Sequence, residues 1–335
     1  MPRRLGWKRQ CWQASRLASL SSKWQALLWE SVEAIDHKFF LDSWTDKQWL
    51  SRLTGLREID TPGLNVQITR LTRLHTLNIS GGDAHFSIEC FSELRVLKLW
   101  GNWIDRHLGP PPSCVETVHF YTSSAHCPLD LLALPRLRNL ELGECEIPLG
   151  TLLQLTRLEH LDLGAFNPVT AEDLLQFPLL TSLASLDDSL SDDELPLFTH
   201  LRALDVREAD EITDQGLLSM TQLRELSCDD YIVHSNTLAQ LTLLERLCID
   251  SARRDSGNNF RLYDLTTLVN LTHLRLEEPH WLGVIDLPEA RSWPRLRTIV
   301  VERPWYIMTA EARLYFEKTG VRIKCPEEEA CKFPV

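Results

Sequence analysis

The segment LTRLHTLNI at residues 71–79 returns as LTRLEHLDL at 155–163, and ten more segments of the same form accompany them. These begin at residues 53, 91, 112, 134, 177, 198, 220, 241, 268 and 293. Successive starts are therefore 18, 20, 21, 22, 21, 22, 21, 22, 21, 27 and 25 residues apart. A chain that repeats one nonapeptide at a nearly fixed interval is constrained to stack like unit on like unit. Within each copy the final x-L-x-L alternates with a period of two, so Leu140 and Leu142 point inward while Asn139 and Glu141 point outward. One such strand buries too little apolar surface to stand alone. Stacked copies build a continuous core and a parallel sheet, and at about 4.8 Å per strand twelve would run roughly 50 Å.

The pattern L-x-x-L-x-x-L-x-L at this interval resembles the leucine-rich-repeat family over roughly residues 50–303. That resemblance implies an α/β leucine-rich-repeat solenoid, with a curved parallel β-sheet on the concave side and short helical turns on the convex side. Repeats of 21–22 residues leave room for little more than one helical turn on the return path. Thr170 with Asp173, and Ser191 with Glu194, have the spacing of helix N-caps there. The register breaks at 101–130, which carries Gly109-Pro110-Pro111-Pro112, and near the longer repeats, where SARRDSGNNF at 251–260 reads as a loop. The chain divides into a basic segment at 1–13, a helical segment at 14–50, a repeat array at 51–303, and a cap and tail at 304–335. In that cap a helix over residues 309–318, ended by Gly320, precedes a strand VRIKC and closes the open end of the core.

Composition narrows the function class. The formal net charge is −12, which argues against binding nucleic acid through its phosphates and suits a basic protein or peptide partner. No apolar run approaches the roughly 18 residues that a membrane span requires. The basic start MPRRLGWKRQ has no long apolar stretch after it, so a secretory signal is not expected. Nine cysteines, odd in number, scattered and without a C-x-x-C pair, read as thiols of a reducing compartment, cytoplasmic or nuclear.

Ahead of the array lies LSSKWQALLWESVEAID, where Leu20, Trp24, Leu27, Leu28 and Val32 recur at helical steps. Six of the eleven tryptophans fall within the first 50 residues, as a lid over the first core layer would require. Residues 14–29 also resemble the second half of an F-box, in which a leucine-bearing helix precedes a short turn, a basic residue and Trp. The matching positions here are Leu17, Leu20, Lys23, Trp24 and Trp29. The first half of an F-box, normally Leu-Pro and an acidic helix, is not matched by MPRRLGWKRQCW. The resemblance implies docking of these residues on the adaptor of a cullin–RING ubiquitin ligase, with the repeats as the substrate receptor. The other reading is a free-standing leucine-rich-repeat binder or inhibitor of a basic protein, with the N-terminal segment as a lid.

The fixed register lists the outward positions of every strand, and two groups among them stand out. Trp100 and Tyr121 are neighbours in one column, beside Lys98 and His119, as interface anchors would be. A loop from 101–130 folded over them would instead make them core. Asp229, Asp250, Glu277 and Glu302 stack in successive repeats, a repulsive arrangement that a partner rich in Lys or Arg would relieve. Arg246 and Arg275 in neighbouring columns offer an internal alternative. No phosphate-binding loop, nucleophile elbow or paired metal-ligand spacing occurs in the chain, so catalysis, cofactors and metals are not expected.

Overall fold

A computed structural model describes residues 34–35, 55–61, 71–80, 88–101, 110–121, 127, 129–164, 168–184, 190–207, 209–230, 233–250, 262–277, 284–301 and 308–324. The basic segment 1–13 lies outside them, and so does 14–50 except for one two-residue strand; Leu17, Leu20, Lys23, Trp24 and Trp29 are therefore not described. Loop 251–260, Glu302 and the tail from residue 325 onward also fall outside.

Two compact units are present, residues 1–155 and 156–335. The described strands of the first are β1 (Ala34–Ile35), β2 (Glu58–Thr61), β3 (Thr76–Ser80), β4 (Val96–Trp100), β5 (Thr117–Tyr121) and β6 (Asn139–Glu141). They pair in chain order, and every pairing is parallel. The second unit carries β7 (His160–Asp162), β8 (Ser182–Ala184), β9 (Ala203–Asp205), β10 (Glu225–Asp229), β11 (Arg246–Asp250), β12 (His273–Glu277), β13 (Thr298–Val301) and β14 (Arg322–Lys324). These too pair in order and in parallel.

Each strand from β2 to β13 begins at the first outward residue that the sequence register assigns. The reason lies in the leucine ladder. In the third repeat Phe91, Leu94, Leu97 and Leu99 are fully buried, and in the tenth Leu241, Leu244, Leu247 and Ile249 are nearly so. Each such side chain contributes roughly 1.5–3 kcal/mol, and a slip of one residue would turn the set to solvent. The backbone adds a second lock. His75 and Thr76 both donate to the Arg57 carbonyl at 2.8 and 2.9 Å, and Arg224 and Glu225 both donate to Arg202 at 2.7 and 3.0 Å. One carbonyl of a repeat thus holds two N–H groups of the next. The architecture is that of a leucine-rich-repeat α/β solenoid.

The return paths are short. Thr170 caps the turn Ala171–Leu174 in a full capping box with Asp173. Ser191 and Glu194 also bond, Ser191 N and Oγ each donating to Glu194 Oε2 at 2.9 Å. The element that follows them is a 3-10 helix at Leu195–Leu197 with Pro196 in its first turn. Carboxylates tie neighbouring return paths in the second unit. Asp192 accepts from Thr213 N at 2.7 Å and Oγ1 at 2.5 Å, and Asp214 accepts from His234 N at 2.9 Å.

At the C-terminal end a helix spans Ala310–Thr319, capped by Thr309 and stopped by Gly320 in the left-handed region at φ 80°. Its Phe316 is buried, and β14 adds to β13 in register, Ile323 opposite Ile299.

Candidate protein-binding faces

In the first unit the alternation that buries Leu97, Leu99, Val118 and Phe120 sends Lys98, Trp100, His119 and Tyr121 to the opposite face of β4 and β5. Trp100 and Tyr121 are partners in the ladder. Their rings stack with centroids 3.9 Å apart and planes 20° from parallel. Each is 37% exposed. Segments 102–109 and 122–126, which follow the two rings in sequence, lie outside those residues.

Beneath the stack lies a polar support. Tyr121 Oη donates to Glu141 Oε2 at 2.8 Å, and His119 Nδ1 meets the same carboxylate oxygen. With the phenol proton committed to Glu141, Nδ1 approaches that oxygen as a donor. The His119 ring runs parallel to the Tyr121 ring, 10° apart with centroids at 5.9 Å. His119 is only 2% exposed, which corrects its placement as surface. Period-two alternation gives the side of the sheet but not the depth, and Tyr121 and Glu141 crowd His119 on that side. Glu141 holds the site together, although the sequence marked it only as outward-facing; its position one strand over from His119 was the available signal. A glycine fixes the following turn. Gly143 has φ +53°, and a Cβ there would stand 2.3 Å from the Phe120 carbonyl oxygen.

The second unit presents charge instead. Asp229, Asp250 and Glu277 occupy one register row across β10, β11 and β12. Asp229 is 7% exposed, again deeper than outward orientation alone implies, while Asp250 and Glu277 are half-buried. The expected internal cations divide. Arg275 Nε lies 2.5 Å from Glu277 Oε1, an ion pair by distance rather than a well-aligned hydrogen bond. Arg246 reaches Glu225 at 3.4 Å, a carboxylate of the first row rather than the acidic row. Nearby, Arg207 grips Asp205 through Nε at 2.9 Å and Nη2 at 2.6 Å, which pushes its pKa further above the ordinary range. Between these rows, burial and the neighbouring Glu277 push the Cys248 thiol up to about 12.

One thiol pair carries no signal in the sequence. Cys127 and Cys145 interact through their sulfurs, which holds Cys127 below the ordinary thiol range and drives Cys145 far above it. Among the described residues no group of three His, Cys, Asp or Glu side chains is placed to hold a metal ion, and no helix is long and apolar enough to cross a membrane.

No protein-family model matches the chain, and no curated protein matches it in sequence. Among solved structures it is similar to an internalin, InlF, from Listeria monocytogenes, with 15% identity and a TM-score of 0.43 over 97% of this chain and 95% of that one. It is also similar to the functional domain of InlJ from Listeria monocytogenes, with 15% identity and a TM-score of 0.38 over 83% of this chain and 64% of that one. At that distance the fold rests on the chain's own register and buried ladder.

Proposed function

We propose that the protein is a non-catalytic protein-binding scaffold that takes a protein partner on the outer face of β4–β6. The observation that carries this reading is the Trp100–Tyr121 stack, two large rings exposed side by side and held from beneath by Glu141. Paired aromatics bury much area on binding at little entropic cost, because the stack and the hydrogen bond have already fixed their rotamers. Lys98, in register with His119, adds a charged group beside the rings. The test compares proteins captured from a lysate by the native chain and by the Trp100→Ala/Tyr121→Ala variant. The reading expects a specific partner to be lost while the melting temperature stays within a few degrees. An unchanged set of captured proteins, or a large fall in melting temperature, overturns it.

The F-box-like residues 14–29 support a narrower reading, a substrate receptor of a cullin–RING ubiquitin ligase, set against a free-standing binder of a basic protein. Mixing the purified chain with the ligase adaptor separates the two. Binding lost on Trp24→Ala and Leu20→Ala, in variants that stay folded, supports the receptor. Absence of any complex with the native chain leaves the free-standing binder.

A further inference from the structure

The acidic row of the second unit has a basic counterpart on the same face. Ladder pairing places Arg246 opposite His273, His273 opposite Thr298 and Thr298 opposite Arg322, so these residues form one row across β11–β14. Lys324 flanks the row on β14, and Arg297 directly precedes Thr298. Arg297 and Arg322 are exposed, and among the described residues neither side chain forms an ion pair. Thr298, in the same row, is buried, so the charges accessible on this edge are those of its neighbours.

We infer that this edge binds a short acidic segment of a partner protein, with Asp or Glu side chains lying along Arg246, His273, Arg297 and Arg322. The fields of Arg246, Arg322, Arg297 and Lys324 converge on His273 and, after burial, are what hold its pKa below the ordinary range. The same fields would hold a carboxylate. Four neighbouring strands span about 14 Å at ~4.8 Å per step, which matches three alternate side chains of an extended peptide at about 6.8 Å per pair of residues. The width of the row selects against a nucleic acid. Asp250 and Glu277 lie four residues further along β11 and β12 than Arg246 and His273, only about 13 Å away at 3.3 Å per residue. A duplex wider than that gap would set its phosphates against the acidic row, on a chain whose formal net charge is −12. A narrow acidic segment would meet Arg297 and Arg322 directly and Arg246 in competition with Glu225, and basic side chains flanking it would meet Asp250 and Glu277. This inference concerns the second unit and does not depend on the aromatic face.

The probe is a fluorescein-labelled hexapeptide alternating Glu and Ser, titrated against the whole chain at low ionic strength and followed by anisotropy. Saturable binding that weakens with salt is expected. Arg246→Glu/Arg322→Glu should reduce affinity at least about tenfold. The milder Arg297→Gln/Arg322→Gln, checked by thermal melting, guards against misfolding and should reduce it severalfold. Trp100→Ala/Tyr121→Ala should leave the titration unchanged, so failure of the aromatic reading and failure of this one remain distinguishable. No peptide binding, unchanged affinity in folded charge variants, or tighter binding of a DNA duplex than of the peptide overturns the inference.

Discussion

The outer face of β4–β6 and that of β10–β14 stand on the same inward ladder and differ in nearly everything else. In the first unit the face centres on two stacked rings and a self-contained hydrogen-bond group, His119, Tyr121 and Glu141. In the second it carries charges of both signs, with ion pairs at Arg275–Glu277 and Arg246–Glu225. Inward residues answer to packing, and outward residues are released from it. A solenoid can therefore hold several unrelated binding chemistries on one invariant core.

The comparison can be broken at its base. Leu97→Ala in the first unit and Leu247→Ala in the second both empty fully packed ladder sites and should each cost about 2–5 kcal/mol in denaturant unfolding. A near-zero cost at either would show that the two cores are not equivalent. Gly143→Ala comes next, because its Cβ would collide with the Phe120 carbonyl in a left-handed backbone. A loss of at least ~2 kcal/mol is expected, with tyrosine fluorescence perturbed as the turn beside Tyr121 shifts. Glu141→Ala should cost about 1–3 kcal/mol by leaving His119 buried without its acceptor. Its signature in the comparison is that Arg246→Ala, at a half-exposed pair, costs less than about 1 kcal/mol.

The smallest effect is one of pH. His273 has a folded pKa below its unfolded value, so the unfolded chain binds the proton more readily and stability falls as pH drops below about 6.5. His273→Gln should flatten that part of the stability–pH curve; a slope unchanged by the substitution would remove His273 as its cause. In the same region Cys248, pushed up to about 12, should resist alkylation at pH 8 by peptide mapping while Cys127 reacts.

The fold was legible because burial acts on alternate residues, and a four-position apolar ladder repeated twelve times leaves one register that keeps all of it inside. The caps were legible where the chemistry is local, as at Thr170 with Asp173 and at Gly320. Ser191 and Glu194 bond as their spacing suggests, with the short 3-10 helix starting directly after them at Leu195. The sites were legible only by column. Trp100 and Tyr121 lie where the register puts them, but the depth of His119 and Asp229 depends on neighbours in other repeats. Thr298 drew no attention in sequence, since its burial too depends on what surrounds it and not on its own type. The contact between Cys127 and Cys145 spans a repeat boundary in an irregular region, where the period gives no guide.

The paired N–H groups that share one carbonyl of the preceding repeat make each repeat interchangeable to its neighbours at the backbone level. What a repeat requires from the one before is a single oxygen and a leucine ladder, neither of which depends on the outward side chains. Unequal recombination that duplicates or deletes whole repeats would therefore leave this backbone pairing available at the remaining junctions, at the cost of side-chain ties such as Asp192 with Thr213, and would lengthen or shorten a binding face in steps of one strand. A lineage of such chains would vary in repeat number far more readily than in repeat length.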